Sequence, residues 1–147
     1  MTTIHYAYCF ATLAFGTVAM FITNDTSLSF NGPSDDFFFY LVPLVAIGGA
    51  LVGHFIFKTN LKGVQQKSSL QEKLSSYQSA RLIRLALIEG PSLFAVVGFI
   101  ITNNQLYLII AFLLLTYMIF LRPTPQKIKQ DLNLTIQERK ELREALK

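Results

Sequence analysis

Four apolar runs, at about 4–23, 37–57, 82–102 and 105–121, decide what this chain can fold into. A hydrocarbon layer about 30 Å thick takes roughly 17 to 25 helical residues to cross, and each run falls in that range. A helix at the surface of a water-soluble protein keeps one polar face, and these runs have almost none; in the fourth, Thr116 is the only internal polar side chain apart from Tyr107 and Tyr117. The composition agrees: of 147 residues 52% are hydrophobic and 15% charged, with a mean hydropathy of +0.42. The expected fold class is all-α, a polytopic membrane protein with four transmembrane helices in an antiparallel bundle over 1–122, followed by a cytoplasmic tail, 123–147, carrying a short amphipathic helix.

The basic residues are strongly one-sided. No Lys or Arg precedes Lys58; Lys58, Lys62, Lys67, Lys73, Arg81 and Arg84 follow in the middle connection, and the rest lie beyond the fourth run. The connection 24–36 instead holds Asp25, Asp35 and Asp36 and no base, and Thr102-Asn103-Asn104 is uncharged. Cations stay preferentially on the cytoplasmic side, so both termini and the middle loop are expected there, in a bacterial inner membrane. The net charge of +4 then reflects topology and contact with anionic headgroups. Nucleic acid is not an expected partner, because no basic stripe with interleaved aromatics stands on a soluble module.

The first run has no basic region before it and no small-residue cleavage pattern at Thr23-Asn24-Asp25, so it is expected to be retained rather than removed as a signal. Tyr6 and Tyr8 suit an interfacial anchor at one end, and Phe37-Phe38-Phe39-Tyr40 forms an aromatic belt at the start of the second run. In that second run Ala46, Gly49, Ala50 and Gly53 share one stripe, where another backbone can approach closely. Ala86 and Gly90 are four apart on the third run and offer a similar slim face. Ser69 with Glu72, and Thr135 with Glu138, have capping-box spacing, while Thr124-Pro125 suits a cap and first turn. Ile136, Leu142 and Leu146 alternate with charges, which predicts the amphipathic tail helix on the membrane or on a partner.

The chemistry concentrates at Glu89. A charge near the middle of a lipid-facing helix costs about 2.5–3.5 kcal/mol, so the carboxylate calls for a partner or a task. Gly90-Pro91 follows at once and predicts a kink, because proline leaves a carbonyl one turn back without its donor. His54 stands about one turn inside Lys58, at comparable depth on the second run, so Glu89 and His54 form a candidate ion or proton pair or a polar clip between helices. Cys9 is the only cysteine, and His5 and His54 the only histidines. That leaves no metal-ligand cluster, no catalytic constellation and no cofactor signature.

The hairpin 41–102 resembles the c subunit of rotary ATP synthases: a glycine-rich first helix, Ala46-Ile-Gly-Gly-Ala-Leu-Val-Gly53, then a polar cytoplasmic loop, then a helix bearing Glu89-Gly-Pro-Ser-Leu-Phe-Ala-Val-Val-Gly98. In that family the acid is the proton or sodium site, so the resemblance implies an ion-binding Glu89. The chain as a whole resembles small four-helix bacterial membrane proteins. The expected function is that of a non-catalytic subunit or accessory of a larger membrane assembly, with the lipid bilayer and either other membrane subunits or further copies of itself as partners. The alternative is a small proton- or cation-coupled transporter, or a rotor-like oligomer, using Glu89.

Overall fold

The computed structural model describes residues 2–23, 37–67, 69–122 and 124–145, and all its regular structure is helical. Six helices follow in order: α1 (Thr2–Thr23), α2 (Phe38–Gln65), α3 (Leu70–Thr102), α4 (Gln105–Phe120), α5 (Pro125–Asp131) and α6 (Ile136–Ala145). Three of them, over Thr3–Thr23, Phe38–Gln65 and Leu70–Thr102, are long and apolar enough to cross a membrane. α4 is apolar but shorter, with 16 residues. The connection with Asp25, Asp35 and Asp36 lies outside the described residues.

Why these bounds arise can be read at the caps. Ser69 accepts from the Glu72 amide at 3.2 Å and starts α3 well before its apolar part. Its 33 residues extend about 50 Å, longer than the hydrocarbon layer. Asn103 ends α3 in the left-handed conformation at φ 54° and donates its amide to Phe99, and Asn104 caps α4 by accepting from the Leu106 amide. Two asparagines thus turn the chain back on itself.

α2 and α3 run antiparallel along most of their length. On α2 the buried residues are Val42, Ala46, Gly53, Phe57 and Val64, a stripe one residue wide. On either side of it Leu44, Ile47, Leu51, Val52 and Phe55 are exposed. A helix that buries only a narrow seam and exposes many large apolar side chains suits a non-aqueous surround. α4 returns along α3, with Tyr107 against Gly98 and the Ser92 hydroxyl donating to the Ala111 carbonyl at 3.2 Å. α1 lies against α3 and α4: Cys9 joins Leu85, Ile88 and Met118, and Ala19 joins Val42, Ala95 and Phe99. The rest of α1 is open, with Phe10 72% and Phe21 76% exposed.

The small residues differ sharply in what they meet. A Cβ on Gly49 would collide with the Leu87 carbonyl oxygen and the Pro91 ring, and one on Gly53 would sit 3.3 Å from the Leu87 side chain. Ala46 is buried beside Leu85 and Ile88, and Ala50 is half-buried. Ala86, expected at a helix contact, is exposed, and a methyl group on Gly90 would meet nothing within 4 Å. The reason is angular: α2 lies over Arg84, Leu87 and Pro91, and at 100° per residue Ala86 and Gly90 point away from that seam. The helix runs unbroken through Pro91.

Replacing Gly49 by Ala is therefore expected to destabilise the protein by about 1–3 kcal/mol through overpacking against backbone. Gly48→Ala, with nothing within 4 Å, should be neutral or slightly stabilising. Unfolding in mild detergent followed by circular dichroism checks the contrast; equal effects would disprove the tight seam.

Candidate functional site

Polar chemistry gathers where α2 passes from Gly53 and Phe57 to Lys58, at the end of the apolar stretches. Arg84 of α3 is its centre. One guanidinium nitrogen, Nη2, donates to the Tyr117 hydroxyl of α4 at 3.1 Å and lies 3.3 Å from Nδ1 of His54 on α2. Its Cζ stands 5.0 Å from the centre of the Phe57 ring, within cation–π range. Its Nε is buried and donates to nothing among the described residues.

One turn earlier, Arg81 Nη2 donates to the Leu121 carbonyl at 2.6 Å, and Lys127 Nζ donates to the Phe120 carbonyl at 3.3 Å. Both cations thus satisfy carbonyls that α4 leaves open at its C-terminus, where the helix dipole also favours positive charge. Between these groups lies a cavity of about 550 Å³ walled by α2, α3, α4 and α5. Lys58, Arg81, Arg84 and Lys127 line it, against the single carboxylate of Asp131.

His54 and Glu89 are not brought together. His54 is exposed and turns to Arg84. Glu89 is two residues past Leu87, about 200° round the helix from the α2 seam. It is half-buried and makes no hydrogen bond or ion pair among the described residues. Gly90 and Pro91 share its turn, with Pro91 on the α2 side.

The tail is held rather than free. Thr124 caps α5, and the Thr135–Glu138 box closes both ways: Thr135 N–H donates to Glu138 Oε2 at 2.8 Å and Glu138 N–H to Thr135 Oγ1 at 3.4 Å. Leu132 and Leu134, in the link between α5 and α6, are buried with Phe57, Val64, Tyr77 and Ala80. Ile136, expected on the sticky face of the tail helix, is 80% exposed, while the side chains of Leu142 and Leu146 lie outside the described residues. Three polar ties complete the clamp: Tyr77 hydroxyl to Asp131 Oδ2 at 2.8 Å, Gln65 Nε2 to the Asp131 carbonyl at 2.7 Å, and Lys73 Nζ to Glu138 Oε1 at 2.8 Å. Of these residues only Glu138 carried a motif in the sequence, as half of a capping box; Gln65, Lys73, Tyr77, Asp131 and the two leucines carried none.

The Lys73 ammonium, with the Thr135 amide and hydroxyl, pulls the Glu138 carboxyl down to about 2. A carboxyl held below its unfolded value adds stability above that value, and the contribution is lost as pH falls through the folded one. Tail docking should thus be constant above about pH 5 and weaken between the ordinary value of 4.5 and about 2. A spin label at exposed Gln137 reports it: mobility should rise over that window, and Glu138→Gln should be mobile already at neutral pH.

Comparison with known proteins finds no family model, no curated protein and no solved structure that matches the chain.

Proposed function

We propose that the chain is a non-catalytic integral membrane protein acting as a subunit or accessory of a larger membrane assembly. In this reading it spans a bacterial inner membrane four times, as an antiparallel bundle over about 4–23, 37–57, 82–102 and 105–121, with both termini cytoplasmic. The observation that carries it is the clamped extension of α2 and α3 beyond their apolar parts. Lys58–Gln65 and Leu70–Ala80 continue as helix, and Leu132, Leu134, Asp131 and Glu138 fix the tail across them. That makes a rigid, charged platform on which a partner loses little ordering entropy when it docks. α1, largely uncovered, offers a second apolar face in the lipid to neighbouring subunits.

A second reading rests on Glu89, a half-buried carboxylate in an apolar helix with no bonded partner among the described residues. Such a group suits proton or cation coupling, in a small transporter or a rotor-like oligomer.

Extraction from source membranes in mild detergent separates the two. The subunit reading expects other chains to co-elute in fixed ratio, and to be lost when the tail after Thr124 is removed while the apolar helices stay folded. Elution as a pure homo-oligomer, with pH-dependent labelling of Glu89 by a hydrophobic carbodiimide and proton flux abolished by Glu89→Gln, would overturn it in favour of the second.

A further inference from the structure

We infer that the cavity bounded by α2, α3, α4 and α5 is a binding site for an anionic phosphoryl group. The argument begins with charge. Four cations, Lys58, Arg81, Arg84 and Lys127, line the cavity against one carboxylate, Asp131, and that carboxylate already accepts from Tyr77. Neither guanidinium is in an ion pair: among the described residues the one salt bridge is Lys73–Glu138, outside the cavity. Arg84 directs Nη2 to the Tyr117 hydroxyl and the His54 ring, and Arg81 directs Nη2 to a carbonyl, so neither meets a carboxylate there. Each arginine has five N–H donors in a fixed fork, so both keep donors, and Asp131 is the one carboxylate lining the cavity to offset four cations. Cations gathered this closely repel one another unless an anion joins them.

The shape narrows the anion. Two guanidiniums and two ammoniums around one space match the several oxygens of a phosphoryl group, which arginine meets with paired bonds and lysine as a point charge. At about 550 Å³ the cavity is larger than a bare phosphate needs and within the range of small-molecule sites. Part of its wall is apolar, with Phe57, Leu85, Phe120 and Leu121, so an apolar body attached to the phosphoryl group has a place to lie. The apolar stretch of α2 gives way to Lys58 at this level, which is where headgroups meet a membrane protein, and basic pockets between helices bind them there. Two further cavities among the described residues lack this character: the one between α1 and α4 is lined by Leu13, Gly16, Val96 and Phe112 with no charge, and the one beside Asn60 and Ser79 holds Lys67 alone. The phosphoryl group belongs either to an anionic lipid or to a soluble phosphate ester or ion, and neither source depends on the chain having subunit partners.

The test uses the full chain, stripped of lipid by prolonged detergent washing, with native mass spectrometry and thermal unfolding as readouts. Phosphatidylglycerol, phosphatidylcholine and inorganic phosphate are titrated separately. One phosphatidylglycerol should be retained per chain and should raise the unfolding temperature saturably, with phosphatidylcholine at least tenfold weaker. The double variant Lys58→Gln/Lys127→Gln should bind about tenfold more weakly. It leaves both arginines in place, so folding survives loss of Lys58, which bonds nothing among the described residues, and of one carbonyl contact. Lys62→Gln/Lys67→Gln removes the same charge outside the cavity and should bind normally. Inorganic phosphate competing at similar concentration would support the site and assign it to soluble phosphoryl compounds; phosphatidylglycerol alone would support it and assign a lipid headgroup. No saturable binding of either, equal binding of phosphatidylcholine, or equal weakening in the two double variants would overturn the proposal.

Discussion

Pro91 has no amide hydrogen, so the Leu87 carbonyl one turn back loses its helical donor, and it is over this carbonyl and the proline ring that Gly49 of α2 stands. A residue with a side chain could not come so near. In lipid, helices gain little from hiding apolar surface and associate through close packing and polar contacts, so this approach sets how α2 and α3 can sit. Gly53 keeps the same seam slim one turn along, beside Arg84, and Val42 meets Gly98 toward the other end. Register along the seam then delivers His54 and Phe57 to Arg84, and Phe57 and Val64 to Tyr77 and Ala80. The polar end of the molecule is thus assembled by a close backbone contact that involves no charged group.

What forms there is a graded exchange of satisfaction. α4 ends at Phe120, leaving carbonyls that water would otherwise meet, and Arg81 and Lys127 reach them from different helices. This ties the short fourth helix to α3 and to the tail at once. The tail then closes over the outer parts of α2 and α3, its two leucines filling the gap beside Tyr77 and its carboxylates bonding Tyr77 and Lys73. Neither α5 with 7 residues nor α6 with 10 would be a stable helix alone; docking and the caps at Thr124 and Thr135 hold them.

Helical class, the long apolar segments and the caps were legible because each rests on local chemistry: run length, Ser69 before Glu72, Thr135 before Glu138. The seam at Gly49 and Gly53 was legible for the same reason, since small residues at helical spacing have few other uses in an apolar helix. Ala86 shows where the rule stops, because spacing identifies a slim face without saying whether a neighbour occupies it. The pairing expected for His54 failed on rotation rather than depth. Depth follows from counting residues from a charged boundary; rotation depends on which face of α3 the glycine seam selects, and that choice is made at Pro91. The Leu132–Leu134 strip was hidden because two leucines among polar residues read equally well as a loop.

This rotation also redistributes the chemistry that the sequence concentrated on Glu89. The α2 seam takes Arg84, Leu87 and Pro91, leaving the glutamate on the opposite side of α3 with no cation bonded to it among the described residues. Arg84, turned the other way, finds a hydroxyl, an imidazole and an aromatic face, none of them a carboxylate. Five residues apart, the base and the acid lie about 140° apart round α3 and meet different neighbours. The carboxylate and the guanidinium are each left without an ion pair among the described residues. The second is the better resolved, because its surroundings already supply three more cations and a space to fill.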